Sequence, residues 1–415
     1  MNVKERRTIE ALRAGVPNRD AVSQLGTDQK TIERRVVDAL SQIGAESRKG
    51  RQLPGFLISG DFGSGKSHLL EWLQHVALDQ RFACSKVVIS KESPLSHPHR
   101  VFRTAMHSLK VPSVVGGIEE VALHLDPNTQ SYAEMYMRVQ DPKMSFDPLF
   151  QSTLWLHEKV KDEETRNQIV SFWRGERLDL GWLRRTLRSL GAPPAVIKKR
   201  RIADLALPRF RFAAELLAGA GYAGWVVLLD ELELIASFSL QARARSYATL
   251  ASLLGLVTDE GLPGLFVVGT VTPDFSTEVF ATRHDDEKIP QRLSDKLSGL
   301  MPAITAGMDV LRSSKDRRLD VEPQTRAMLT RTHEKVRQLY SAAYDWVPPD
   351  GEPELHEGSR RMRQYVRQWI TQWDLTRLDP KYQPDIQTEN YTPDLAERPD
   401  LERSVEPDED DKDPD

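Results

Sequence analysis

The sequence of 415 residues holds a single cysteine, Cys84. That scarcity excludes an intramolecular disulfide and any multi-cysteine zinc or iron–sulfur site, and it suits a reducing compartment. Long apolar runs are missing too. The longest, near Trp225–Leu229 and Leu265–Val268, fall far short of the roughly 20 residues that cross a bilayer. The opening Met1-Asn2-Val3-Lys4-Glu5-Arg6-Arg7 has no apolar stretch behind it and is not a secretory signal. A cytoplasmic protein with no membrane partner is expected. His97-Pro98-His99 has no carboxylate or cysteine at ligand spacing, so it reads as an ordinary loop rather than a metal pair. Net charge is also scarce, −4 from 57 basic and 61 acidic residues. Hydrophobic residues at 39% and charged residues at 28% describe a soluble globular chain with some extra polar sequence. Its length allows two or three domains.

The small net charge is a sum of unlike parts. Residues 379–415 carry 14 acids, 4 bases and six prolines, which leaves 53 bases against 47 acids in the body. The body is therefore mildly basic and compatible with nucleic acid. The tail has too few large apolar groups to offset its ordering entropy and is expected to be largely disordered.

Ile9 and Leu12 among charged residues mark an amphipathic helix near the start, and a second is expected over Lys30–Gln42. Short continuous apolar runs follow at Gly55–Ser59, Lys86–Ser90, Trp225–Leu229 and Leu265–Gly269, with a weaker one at Arg318–Val321. Such runs, separated by helical patterns, predict an α/β fold whose parallel sheet is covered on both faces. Residues 112–208 read as a helical insertion with Trp155, Trp173 and Trp182 packed inside, and without a fixed-period repeat. Helices are expected again at Gln324–Tyr344 and Ser359–Trp373, split by a Pro348-Pro349-Asp350-Gly351 loop. The predicted organisation is a helical lead-in over 1–50, a core over 51–322 with the insertion, a helical lid over 323–378 and the acidic tail over 379–415.

Gly60-Asp61-Phe62-Gly63-Ser64-Gly65-Lys66-Ser67 matches G-x-x-x-x-G-K-[ST] in full. It follows a strand, and His68-Leu69-Leu70 opens a helix, which is the context this phosphate loop needs. Glycines let the backbone wrap phosphates with its N–H groups inward, and the helix N-terminus adds partial positive charge. Lys66 is expected to reach the β- and γ-phosphates of ATP, and Ser67 to hold Mg²⁺. The strand Trp225–Leu229 ends in Asp230-Glu231. Asp230 is expected in the Mg²⁺ shell and Glu231 as the general base for the attacking water, with Glu233 as its rival.

The next strand ends in Thr270-Val271-Thr272. In P-loop ATPases with a strand between the two motifs, a polar residue here senses the γ-phosphate; Thr270 is preferred over Thr272. A catalytic arginine would stabilise transition-state charge. Arg292 is placed to act in trans, which implies a homo-oligomer, and Arg283 is the runner-up. Arg360, Arg361 and Arg363 lie on the late helix, from which one, taken as Arg361, contacts nucleotide; a solvated or DNA-facing face is the other reading.

Together these elements resemble the AAA+ class of P-loop NTPases, in its origin-recognition and loader branch. The order of Leu12-Arg13-Ala14-Gly15-Val16-Pro17, the phosphate loop, Ser90-Lys91-Glu92-Ser93-Pro94-Leu95 and Leu229-Asp230-Glu231-Leu232-Glu233 is similar to the ATP-binding BrxD family of bacteriophage-exclusion (BREX) systems, over roughly residues 5–375. The resemblance implies a phage-defence ATPase that works with other BREX components, a helicase encoded alongside among them. It also implies that the segment around Pro17–Arg19 lies over the adenine. The long insertion departs from the loaders. Only the acidic tail follows Trp373, so DNA binding by a loader's winged helix does not carry over.

Residues 22–36 read either as a helix-turn-helix, with Gly26 at the turn and a basic second helix, or as the lead-in of the ATPase. Lys198-Lys199-Arg200-Arg201, with Arg184, Arg185 and Arg188, is either a solvated face or a contact for phosphate backbone. The reading preferred from the sequence is an ATP-hydrolysing protein that drives a conformational change on DNA or defence partners. The rivals are a nucleotide-gated switch with little hydrolysis and a sequence-specific DNA-binding protein.

Overall fold

A continuous apolar run can be buried only where both faces of its strand are covered. The computed structural model describes residues 3–15, 19–112, 116–192, 196–257, 261–313, 316–349, 362–381, 396–398 and 400, and for Arg19, Asp20, Ser23 and Ser313 the backbone only. Strands β1 (Phe56–Ser59), β2 (Ala83–Val88), β3 (Trp225–Asp230), β4 (Leu265–Val271) and β5 (Arg318–Asp320) form one parallel sheet in the order β2-β3-β4-β1-β5. β2 begins at Ala83 rather than Lys86, because Ala83, Cys84 and Ser85 are fully buried and pair with Trp225, Val226 and Val227. Burial pushes the Cys84 thiol up to about 12 and leaves it protonated at neutral pH.

The N-terminal helices are α1 (Val3–Ala14), α2 (Arg19–Leu25) and α3 (Lys30–Arg48), and α4 (Lys66–Asp79) follows β1. After β2 come α5 (Pro98–His107), α6 (Ile118–Leu123), α7 (Gln130–Gln140), α8 (Pro148–Lys159), α9 (Glu163–Arg174), α10 (Leu180–Ser189) and α11 (Ala206–Gly219). Beyond β3 lie a 3₁₀ turn (Leu232–Ser237) and α12 (Leu240–Leu253). Beyond β4 are α13 (Pro273–Ser276), a π turn (Thr277–Thr282), α14 (Asp285–Leu293) and α15 (Met301–Ser313). Finally come α16 (Arg326–Tyr344) and α17 (Met362–Leu378).

Alternate strand residues point to opposite faces. One face, with Phe56, Ile58, Val226, Leu228, Phe266 and Val268, packs on α3 through Ile32, Val36 and Leu40 and on α4 through Leu69, Leu70 and Leu73. The opposite face, with Leu57, Val227, Leu229 and Val267, shares one continuous core with the insertion. Trp173 is buried there, donating to Thr153 Oγ1 at 3.0 Å beside the stacked pair Phe150–Phe212. Trp155 and Trp182 do not join it in the interior; they pack half-buried on its outside. Pro208 falls inside the first turn of α11, where proline's missing N–H needs no partner.

A third core joins α1 to the C-terminal helices through Ile9, Leu329, Val336, Tyr340, Trp369 and Trp373. Arg13 pairs with Asp374 at 2.7 Å across that junction, and Arg6 Nε donates to Ala343 O at 2.9 Å. α1 thus packs on the C-terminal helices and α3 on the sheet. Among the described residues, no helix is long and apolar enough to cross a membrane, and no group of three His, Cys, Asp or Glu stands close enough to hold a metal by itself. Most of 379–415 lies outside the described residues.

Candidate nucleotide site

Gly60–Ser67 turns between the end of β1 and the start of α4. The turn demands glycine at three points, one of them Gly63 at φ 80°. Gly65 adopts φ 103° as it opens α4, a conformation that L side chains avoid. A Cβ on Gly60 would come within 2.6 Å of Ser64 Oγ and 2.9 Å of Val321 Cγ2. Lys66 is buried, and its ammonium donates to Gly60 O at 2.6 Å and Asp61 O at 3.1 Å. Ser64 Oγ is buried without a hydrogen-bond partner.

Phe62, Gly63, Ser64, Gly65, Lys66, Ser67 and His68 line a cavity whose other walls include Asp230, Glu231 and Glu233. Parallel pairing through β4 places the ends of β1 and β3 on the same edge of the sheet, where ligands bind α/β folds. Asp230 is buried; its Oδ1 accepts from Thr270 Oγ1 at 2.7 Å and from the Glu231 N–H at 3.2 Å. Lys86 Nζ lies 3.3 Å from Asp230 Oδ2.

Glu231 is held at φ 62°, ψ 43°, a strained left-handed conformation of the kind that clusters at functional sites. Burial, followed by the charge of Asp230, raises the pKa of its carboxyl; Lys66, Lys86 and Arg363 oppose the shift. Glu233 is buried with Oε2 unpartnered, and burial raises its pKa as well, against the pull of Lys66.

Thr270 lies beneath the two acids rather than on the cavity wall, its hydroxyl also accepting from the Glu231 N–H at 3.3 Å. Thr272 Oγ1 is buried without a partner. Thr270→Val removes a hydrogen bond to a buried carboxylate and is expected to cost about 1–3 kcal/mol, measured by urea unfolding.

Further wall comes from α1 and the residue after it (Leu12, Gly15), from Val321 just beyond β5, and from the C-terminal helices (Met328, Met362, Arg363 and Val366). The turn from Leu25 to Gln29 completes it. This turn is fixed by His68 Nε2 against Gly26 O at 2.7 Å, by Lys335 Nζ on Leu25 O at 2.6 Å, and by Gln29, whose Oε1 accepts from the Glu322 N–H at 2.7 Å. Burial lowers the His68 pKa and keeps the ring neutral. The α2–α3 turn thus stands at the nucleotide cavity, and α3 buries Ile32 and Val36 on the sheet.

Of the predicted arginines, Arg361 lies outside the described residues, and Arg19 opens α2 with its side chain undescribed. Among the described residues of the late helix, Arg363 is on the cavity wall, with its side chain against Gly15. Arg292 is exposed on α14, away from this cavity. Arg283 is paired with Glu278 at 2.8 Å. Lys86 and Gln29 escaped the sequence reading. A lysine inside the apolar run Lys86-Val87-Val88 was the only signal for the first, and nothing local pointed to the second.

The five-stranded parallel sheet in this order, with a phosphate loop after β1 and two acids after β3, defines a P-loop protein of the AAA+ type. The sequence profile of the BREX system ATP-binding protein BrxC/D family matches residues 2–122 and 152–350, and the chain belongs to that family. No curated protein matches the sequence as a relative.

Proposed function

We propose that the chain binds ATP with Mg²⁺ in this cavity and hydrolyses it, using the change in contacts to act on its BREX partners or on DNA. The supporting observation is that Lys66 and Ser67 from the phosphate loop and Asp230 and Glu231 from β3 open into one cavity. The cradle suits a triphosphate: an ammonium and the N-terminus of α4 stand at it, and Ser64 is among its lining residues. Ser67 and Asp230 would be the protein ligands of Mg²⁺, which commonly keeps several waters beside one or two protein oxygens. Bound there, the metal would supply positive charge against the β- and γ-oxygens.

In this reading Glu231 takes the proton of the attacking water, and Thr270 positions Glu231 through its N–H and Asp230 through Oδ1. Arg363 reaches the phosphates from the late helix in the role assigned from sequence to Arg361. Nucleotide here touches both the sheet core and the α1–lid core, so loss of the γ-phosphate alters the contacts that join them.

Turnover with and without DNA, alongside solution mass with and without ATP, tests the proposal. Saturable ATP hydrolysis supports it, and no turnover even with DNA and partner present sinks it. Arg292, exposed on α14, is assigned to a neighbouring subunit's nucleotide. Mixed Arg292→Ala and Lys66→Ala subunits are then expected to recover activity that neither has alone; failure to complement removes the trans role.

One observation favours a second reading, a nucleotide-gated switch. Lys86 already holds Asp230 Oδ2, so a divalent cation must share or displace that pair. ATP binding without turnover would select the switch.

A further inference from the structure

Ala396–Arg398, deep in the acidic tail, lies against the ATPase core. The Arg398 N–H donates to Ser237 O at 2.8 Å, at the end of the 3₁₀ turn that begins next to Glu231. Glu397 Oε1 accepts from Arg243 Nη1 at 2.6 Å and lies 3.6 Å from Arg283 Nη1. The socket is also held by bonds that do not involve its occupant. Arg243 is only 2% exposed, and its Nε and Nη2 form a bidentate pair with Asp285, both at 2.7 Å. Tyr247 donates to the same carboxylate at 2.7 Å. After those bonds Arg243 Nη1 still points outward, where it meets Glu397 and Phe238 O.

From this geometry we infer that Ser237, Arg243 and Arg283 form a docking site for an acidic segment, and that Ala396–Arg398 of the same chain is its resident occupant. The backbone bond fixes the register of the segment, and the two guanidinium groups select a carboxylate at residue 397. A residue without an acceptor at 397, such as alanine, would leave Arg243 Nη1 with one acceptor fewer in a buried setting. Glu397 itself is half-exposed, so the seat is weak enough to open and depends on the high local concentration that a tether provides. It occupies the N-terminal end of α14, about 10 Å along that helix from Arg292. A seated tail is therefore placed beside the surface from which a trans-acting arginine would be offered.

The test is hydrogen–deuterium exchange on full-length protein, which needs neither nucleotide nor turnover and so stands apart from the hydrolysis reading. In wild type the Arg398 amide is expected to be protected, and Glu397→Ala is expected to speed its exchange about tenfold or more, with the 3₁₀ turn over 232–238 loosening in parallel. Equal exchange in the two proteins, or no protection in wild type, overturns the docking site. Protection that grows with protein concentration overturns the intramolecular occupant and gives the seat to a second copy's tail. Glu397→Gln keeps an acceptor and loses the charge, so exchange between the other two supports a seat read by both features.

Discussion

Lys66→Ala is expected to lower ATP affinity by about a hundredfold or more while leaving the chain folded. The ammonium sits on Gly60 O and Asp61 O at the mouth of the phosphate loop, within reach of anything that the loop's amides bind. A hydrogen bond to a charged group contributes about 1.5–3 kcal/mol, and a lysine that reaches two phosphates supplies two of them, against a factor of ten for each 1.4 kcal/mol. Folding depends little on this side chain. α4 is held to the sheet by Leu69, Leu70 and Leu73, and Gly60 N–H is tied to Val271 O at 3.2 Å. The melting temperature is therefore expected to shift by less than about 4 °C. Calorimetric titration with ATP, run beside a thermal melt, reads both. Unchanged affinity in the variant would mean that nucleotide binds elsewhere.

What the sequence made legible follows from how locally each feature is encoded. β1, β3 and β4 each appear as an unbroken apolar run because every residue in them is buried. The phosphate loop and Asp230-Glu231 adjoin such runs, so spacing alone located them. The features that escaped depend on partners far away in the chain. α1 carries the same amphipathic pattern whether it packs on a sheet or on a lid. Its choice rests on pairs such as Arg13 with Asp374, 361 residues apart. Lys86 reads as a surface residue until β2 pairs with β3 and brings it to Asp230. Glu397 is one acid among many in the tail, and only the socket at Arg243, 154 residues away, distinguishes it. The part of the candidate site on the sheet adjoins local apolar runs, whereas the part contributed by α1 and the C-terminal helices depends on distant pairing. Arg363 is the example: it was one of three arginines on the late helix, and only the packing of that helix places it on the cavity wall.

Glu231→Gln is expected to retain ATP binding and to lower turnover by about 10²–10⁴-fold, the range that removal of a general base produces. The substitution keeps size and backbone, so the left-handed turn at 231 and the N–H bonds to Asp230 and Thr270 remain. Binding should hold or tighten, because the variant removes a negative charge from the wall that faces the phosphates. The pH profile gives a second reading. Burial, reinforced by Asp230, places the Glu231 pKa above the ordinary glutamate value. A base works only when ionised, so wild-type turnover is expected to fall on the acid side at a higher pH than an unperturbed glutamate would give, and that limb should vanish in the residual activity of Glu231→Gln. Glu233 provides the contrast, since its pKa is raised as well and its Oε2 is unpartnered beside the same cavity. If Glu233→Gln removes the limb and the turnover while Glu231→Gln keeps both, the base is Glu233, and Glu231 serves only to shape the turn.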